Sequence, residues 1–94
     1  MLKLFNTKLF IECKNSDGFT GFNHSHDGYW SNIANVGPKS KEQCANTCTQ
    51  ECRAFTTYTT RQCYHLNRAQ LDSAILQIAT NGGKSYVKCP GSNK

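Results

Sequence analysis

The residues with the most chemistry in this sequence are its six cysteines: Cys13, Cys44, Cys48, Cys52, Cys63 and Cys89. Cysteines at this density close disulfides, hold a metal or act as nucleophiles. The central run is Cys44-x3-Cys48-x3-Cys52-x10-Cys63, framed by Cys13 and Cys89. Six cysteines in 94 residues suit an oxidising compartment, and spacing alone leaves the pairing open. A zinc centre presents two close pairs, Cys with Cys or Cys with His. Cys44, Cys48 and Cys52 suit that loosely and His65 follows Cys63, but Cys13 and Cys89 would be left unexplained, so no metal is expected. His24-x-His26 with Asp27 is a candidate surface metal patch, although histidines in a loop rich in Gly and Ser are expected to be solvated. No G-x-S-x-G or H-E-x-x-H motif is present, and Asn81-Gly82-Gly83-Lys84 lacks phosphate-loop spacing. Asp17, Asp27, Glu42 and Glu51 supply carboxylates, but no spacing favours a catalytic pair. The expectation is a chain without catalysis and without a cofactor.

These residues need elements to position them. Ser40 is a predicted N-cap, with Gln43 completing a capping box, for a helix over Lys41 to Gln50. Cys44 and Cys48 then lie one turn apart on one helix face. Arg53 to Tyr58 is β-branched and aromatic and reads as a strand. Thr59 to Gln62 is a predicted turn, and Cys63 to Leu66 the returning strand. Lys14 to Tyr29 is rich in Gly, Ser, Asn and Asp and reads as loop with a short strand. Trp30 to Val36 reads as a strand ended by the breaker Gly37-Pro38. Leu71, Ala74, Ile75 and Ile78 have helical spacing, with extended structure as the competitor. Asn81-Gly82-Gly83 is a turn signal. Lys84 to Cys89 is the last strand, with Tyr86 and Lys88 on one side and Val87 and Cys89 on the other. The expected class is α+β, a helix packed on a small, mostly antiparallel sheet. Residues 1–12 are read as an N-terminal flank and first strand, 13–89 as the domain and 90–94 as a linker stump.

Composition sets the bounds. A chain of 94 residues has room for one domain. With 37% hydrophobic and 18% charged residues it is neither a membrane protein nor a charge-rich disordered chain. No apolar run approaches the roughly 18 residues of a membrane-spanning helix. A domain this small buries only about 60–65% of its unfolded surface, a deficit that covalent cross-links offset. Eleven Lys and Arg against six Asp and Glu give a net charge of +5, which favours anionic partners. The basic residues are scattered, so nucleic acid is not expected as a partner. Lys3, Asn6 and Lys8 interrupt the apolar residues of Met1 to Phe10, so no secretory signal is read there. A secreted-type cysteine pattern without a signal is expected of a module excised from a larger secreted protein.

The residues from Ser40-Lys41-Glu42-Gln43-Cys44 through Cys48 and Cys52 to Ala54-Phe55, Cys63 and Leu66 resemble the PAN/apple family. That family has a helix bearing two cysteines, then Cys-x-x-Phe entering a hairpin whose second strand carries a further cysteine and an aliphatic residue. Cys52-Arg53-Ala54-Phe55 and Cys63-Tyr64-His65-Leu66 match it as written, and Cys13 with Cys89 looks like the outer pair of the apple subtype. The resemblance implies the pairs Cys13–Cys89, Cys44–Cys63 and Cys48–Cys52. Geometry favours the same set, since Cys52 lies just past the predicted helix within the reach of Cys48 that a disulfide needs. The resemblance also implies a helix cradled on a curved antiparallel sheet. By resemblance the function is extracellular recognition of a protein or carbohydrate, as a secreted adhesion-type module.

The candidate ligand-binding residues are Arg61, Tyr64, His65, Lys84, Tyr86 and Lys88, with Tyr58 and Arg68 nearby. Aromatic faces and fixed polar groups suit a sugar, and Arg61, Arg68, Lys84 and Lys88 would suit a sulfated, heparin-like glycan. Phe19, Phe22, Tyr29 and Trp30 form a candidate protein interface if exposed, against the alternative that Trp30 and a Phe or two fill the core. A structural spacer in an extracellular array is a further reading, and no membrane insertion is expected. Asn23-His24-Ser25 is an N-glycosylation sequon in what reads as an exposed loop.

Overall fold

The structure, a computed structural model, describes residues 12–80 and 82–90. The first strand expected before Cys13, and the tail after Pro90, lie outside the described residues. A short 3-10 turn at Ser16–Gly18 leads into β1 (Phe22–Trp30) and β2 (Ala34–Pro38). Then come α1 (Lys41–Asn46), β3 (Cys52–Thr57), β4 (Gln62–Asn67), α2 (Arg68–Ser73), β5 (Leu76–Ile78) and β6 (Lys84–Lys88). The strands form one curved sheet in the order β2-β4-β3-β6-β1-β5, with every neighbouring pair antiparallel. This is the expected α+β class, a small disulfide-rich fold.

Both sheet faces are covered. Successive strand residues point to opposite faces, so Ala54 and Phe55 serve different layers. On one face Phe19, Phe22, Phe55, Tyr86 and Ala45 pack around Cys44, Cys48 and Cys63 beneath α1. On the other, Trp30, Ala54 and Leu66 meet Ile33, Val87, and Leu71 and Ala74 from around α2. Burying the four aromatic side chains of the first layer is its largest apolar contribution, since each such ring hides about 150–250 Å². Their rings meet edge-on or stacked, with centroids 4.8–5.4 Å apart. Three disulfides lock these layers: Cys13–Cys89, Cys44–Cys63 and Cys48–Cys52. They join the same cysteines that the family resemblance implies.

Local chemistry explains most boundaries. The Ser40 hydroxyl accepts from the Gln43 amide (3.1 Å), and the Gln43 side chain accepts from the Ser40 amide (3.0 Å), so the predicted capping box starts α1. The helix ends at Asn46, four residues before the predicted end, because the chain must double back to join Cys48 to Cys52 across 4.9 Å. Gln50 takes a left-handed conformation in that reversal (φ 54°). A second box, Asn67 with Gln70, starts α2. The stretch read as helix from Leu71 therefore divides, helical to Ser73 and extended over Leu76–Ile78.

Three expectations are corrected. Lys14 to Tyr29 is not mainly loop: β1 runs nine residues, and a bulge at Ser25 hides its alternation. The strand read over Trp30 to Val36 is broken at Ser31-Asn32, where the chain turns from β1 to β2. Gly37-Pro38 does not break the strand at Val36: both residues belong to β2, with Gly37 opposite Cys63 and Pro38 opposite Gln62. β2 is a sheet edge, where a missing N–H removes no ladder bond.

Candidate functional site

The structure divides the candidate ligand-binding residues. Tyr86 is 2% exposed and Lys88 4%, so neither presents a face to a ligand. The reason is the second covering layer: beyond Lys84, β6 is roofed on both sides, with Tyr86 in the layer beneath α1 and Val87 against the layer beneath α2. Tyr86 stacks on Phe55 with centroids 5.0 Å apart, and its hydroxyl donates to the Asp17 carboxylate. Burial first, and then Asp17, push this phenol well above its ordinary pKa. His65 is half-buried and turned under α1, its Nε2 donating to the Cys44 carbonyl (3.1 Å). Burial lowers the His65 pKa, the Cys44 carbonyl opposes that, and Lys39 and Lys88 add to the lowering.

The aromatic protein interface is likewise corrected. Phe19, Phe22 and Trp30 are buried at 8%, 0% and 4% exposure, and Tyr29 is half-buried. Their density in the sequence marks core on both faces of β1, since burial of large rings supplies what a short chain otherwise lacks. Asn23 lies in β1, not in an open loop. Its side-chain nitrogen donates to the Glu12 carbonyl (3.0 Å) and its oxygen accepts from the Lys14 amide (2.5 Å). The sequon asparagine therefore clamps the segment that carries Cys13.

The bulge at Ser25 also separates the two histidines of the candidate metal patch. His24 lies beside Tyr86 on the α1 face (5.5 Å between centroids), whereas His26 lies beside Trp30 on the α2 face (5.1 Å). His26 is buried, with Nε2 donating to the Tyr29 carbonyl (2.9 Å) and Nδ1 2.8 Å from the Ser25 hydroxyl. Cys44, Cys63 and His65 bring ligand atoms within 4.8 Å of one another. The two sulfurs are joined to each other, so they are not thiolate ligands.

What remains of the candidate set gathers at one end of the sheet, where the β3–β4 turn meets the loop before β6. Arg61 stands in that turn with a left-handed backbone (φ 65°), its carbonyl accepting from the Lys39 amide (2.9 Å). Tyr64 meets Tyr58 edge-on, with centroids 5.6 Å apart, and both are half-buried. Tyr58 rests on Gly83, where a Cβ would lie 2.6 Å from the ring. That glycine is needed because the ring occupies the space a side chain would take. Lys84 is exposed, with its ammonium 3.9 Å from the Asp27 carboxylate, which also accepts from His24 at 3.0 Å. The Thr57↔Lys84 and Thr56↔Tyr64 register puts Lys84 on the α1 face and Tyr64 on the α2 face. Beside Lys84 opens a cleft of about 410 Å³ lined by Asp27, Ile78, Thr80, Gly82, Gly83 and Lys84 among others, with Gly83 its link to the Tyr58 ring. In the neighbouring ladder pair Thr56 and Ser85 are fully buried yet satisfied: their hydroxyls lie 2.6 Å apart, and Ser85 donates to the Gly28 carbonyl (2.8 Å).

Sequence reasoning placed Arg61, Tyr64 and Lys84 in the site and noted Tyr58 beside them. It did not connect Tyr58 to Gly83, because nothing local signals a contact across 25 positions. The double glycine was the available signal, read only as a turn. The three disulfides are compatible with an extracellular protein, and no described helix is long and apolar enough to cross a membrane. Compared with models of protein families, with curated proteins and with solved structures, the chain matches none.

Proposed function

We propose that this chain is a non-catalytic extracellular recognition module of the PAN/apple type, and that it binds a carbohydrate at the sheet end described above. The cysteine pairing, the capped helix and the Cys52-Arg53-Ala54-Phe55 hairpin entry support the family reading. The observation that carries the ligand reading is Tyr58, paired with Tyr64 and seated on Gly83, which lines the cleft together with Asp27 and Lys84. A sugar ring has an apolar face for an aromatic ring and hydroxyls for fixed polar groups; a ligand reaching around the sheet end at Gly83 would meet the aromatic pair from one face and Asp27 and Lys84 from the other. Arg61 and Lys84 extend the choice to acidic sugars. A protein ligand is the competing occupant, since an aromatic pair ringed by charge also suits a protein interface.

An NMR shift titration of the oxidised protein against galactose, a sialylated glycan and a heparin fragment tests the proposal. Saturable shifts confined to Tyr58, Arg61, Tyr64 and Gly82 to Lys84 are the expected result. Absence of shifts with all three sugars would refute the carbohydrate reading and leave a protein ligand or a spacer role. Heparin shifts that vanish at moderate salt would mark plain cationic attraction instead of a site.

A further inference from the structure

The two edges of the sheet are built differently. β2 closes one edge with a bulge between Asn35 and Gly37 and with Pro38 at its end, features that blunt edge pairing. β5 closes the other edge among the described residues and has none of them. From Ser73 to Thr80 the sequence carries no charge, no proline and no glycine. Ile75, Leu76 and Ile78 are 66%, 54% and 74% exposed.

The hydrogen bonds fix which backbone groups are open. Ile75 accepts from the Ser31 amide (3.0 Å) and the Ala79 amide donates to the Asp27 carbonyl (3.1 Å). The odd-numbered residues of this stretch therefore face β1, and the N–H and C=O groups of Leu76 and Ile78 point away from the sheet. Leu76 lies opposite Trp30 and Ile78 opposite Gly28, so both side chains extend the α2-face apolar layer to the open edge.

We infer that β5 is a self-association edge, pairing antiparallel with β5 of a second copy about a twofold axis through Gln77. In that register Leu76 of one copy exchanges both backbone hydrogen bonds with Ile78 of the other, and the reverse. Four aliphatic side chains then form one cluster continuous with two Trp30 layers, and Gln77 meets its own counterpart. A second copy is the fitting occupant because the edge is neutral and short, and a strand centred on Gln77 is its own complement. The exposed side chains supply on the order of 300 Å² per copy, well under the roughly 800 Å² per partner of a standard stable interface. The dimer is therefore weak and reversible.

Sedimentation velocity of the oxidised chain from about 20 μM to about 1 mM, the range where an interface this small responds, tests the inference. The expected result is a rise in weight-average mass that Ile78→Lys and, separately, Leu76→Lys abolish. Both variants should keep three disulfides by mass and a dispersed NMR spectrum, because both side chains are solvent-exposed. Amide exchange should slow at Leu76 and Ile78 as concentration rises. A constant monomer mass, association that survives both lysines, or Leu76 and Ile78 amides already protected at low concentration would each overturn the inference. The last outcome would mean that another segment of the same chain covers the edge.

Discussion

Gly28→Ala is the sharpest test of how β5 is held. Gly28 has φ +140°, and a Cβ there would lie 1.9 Å from the Gln77 carbonyl oxygen and 2.9 Å from the Ala79 nitrogen. Both obstacles are backbone, so no side-chain rotation relieves them. Restoring an ordinary contact of about 3.5 Å requires β5 to retreat by roughly 1.6 Å. The Ala79–Asp27 hydrogen bond, now 3.1 Å, then passes out of range, and the Ser31–Ile75 bond of 3.0 Å follows. Two such bonds contribute about 1 kcal/mol each, and the unfavourable φ adds about 1 more. The total, about 3 kcal/mol, is large against roughly 5–14 kcal/mol for a domain of this length. Urea unfolding with intact disulfides should show a midpoint about 2 M lower for a slope near 1.5 kcal/mol/M. Hydrogen exchange should show the Ser31 and Ala79 amides released before the rest of the sheet. An alanine variant within about 0.5 kcal/mol of the parent, with both amides still protected, would refute the close approach of β1 and β5.

Other perturbations probe the site and the cross-links. Gly83→Ala should displace the Tyr58 ring at a stability loss of about 1 kcal/mol. It should weaken any glycan binding seen by titration by up to about tenfold, and unchanged binding with a displaced ring would exclude Tyr58 from the site. Replacing Cys13 and Cys89 with alanine opens a loop of sequence separation 76, which the chain-entropy relation values at about 4.5 kcal/mol. Replacing Cys48 and Cys52 opens a separation of 4 and should cost about 2 kcal/mol, so the reverse order in chemical denaturation would contradict the entropic account. His65 has a folded pKa below its ordinary 6.5 because it is buried, so the unfolded chain takes up its proton first as pH falls. Stability should be level above that value, decline as pH drops from it toward the folded pKa, and lose this slope in His65→Gln. An unchanged slope in urea midpoints from pH 5 to 8 would assign it to other groups.

The parts of the fold legible in the sequence are those fixed by short-range chemistry. The Ser40–Gln43 box, the β-branched and aromatic run Arg53 to Tyr58 and the double glycine before β6 each act within a few residues. β1 was hidden because His24-Ser25-His26-Asp27-Gly28 is polar and the bulge shifts its side-chain alternation by one. Alternation shows that Tyr86 and Lys88 share one side of β6, but not that this side is roofed. The α2–β5 division was half legible: Asn67 and Gln70 form the same type of box as Ser40 and Gln43, and it marks Arg68 as the helix start. The Tyr58–Gly83 contact depends on tertiary placement alone, and so does the site built on it.

Cys13 and Cys89 hold the two ends of the domain with Cα atoms 5.4 Å apart. Any chain attached before Cys13 and after Cys89 is therefore connected through a single covalent bridge at the base of the sheet. Tension along such a chain crosses that bridge and bypasses the ladder, the helices and both apolar layers. While the bridge is oxidised the load does not reach the residues between Cys13 and Cys89, and the sheet keeps its shape. Reduction would change the mechanical circuit: the load would enter the sheet, and a separation of 76 residues would add up to about 260 Å of length. The outer disulfide thus makes this fold a rigid link whose compliance is set by the redox state of its surroundings.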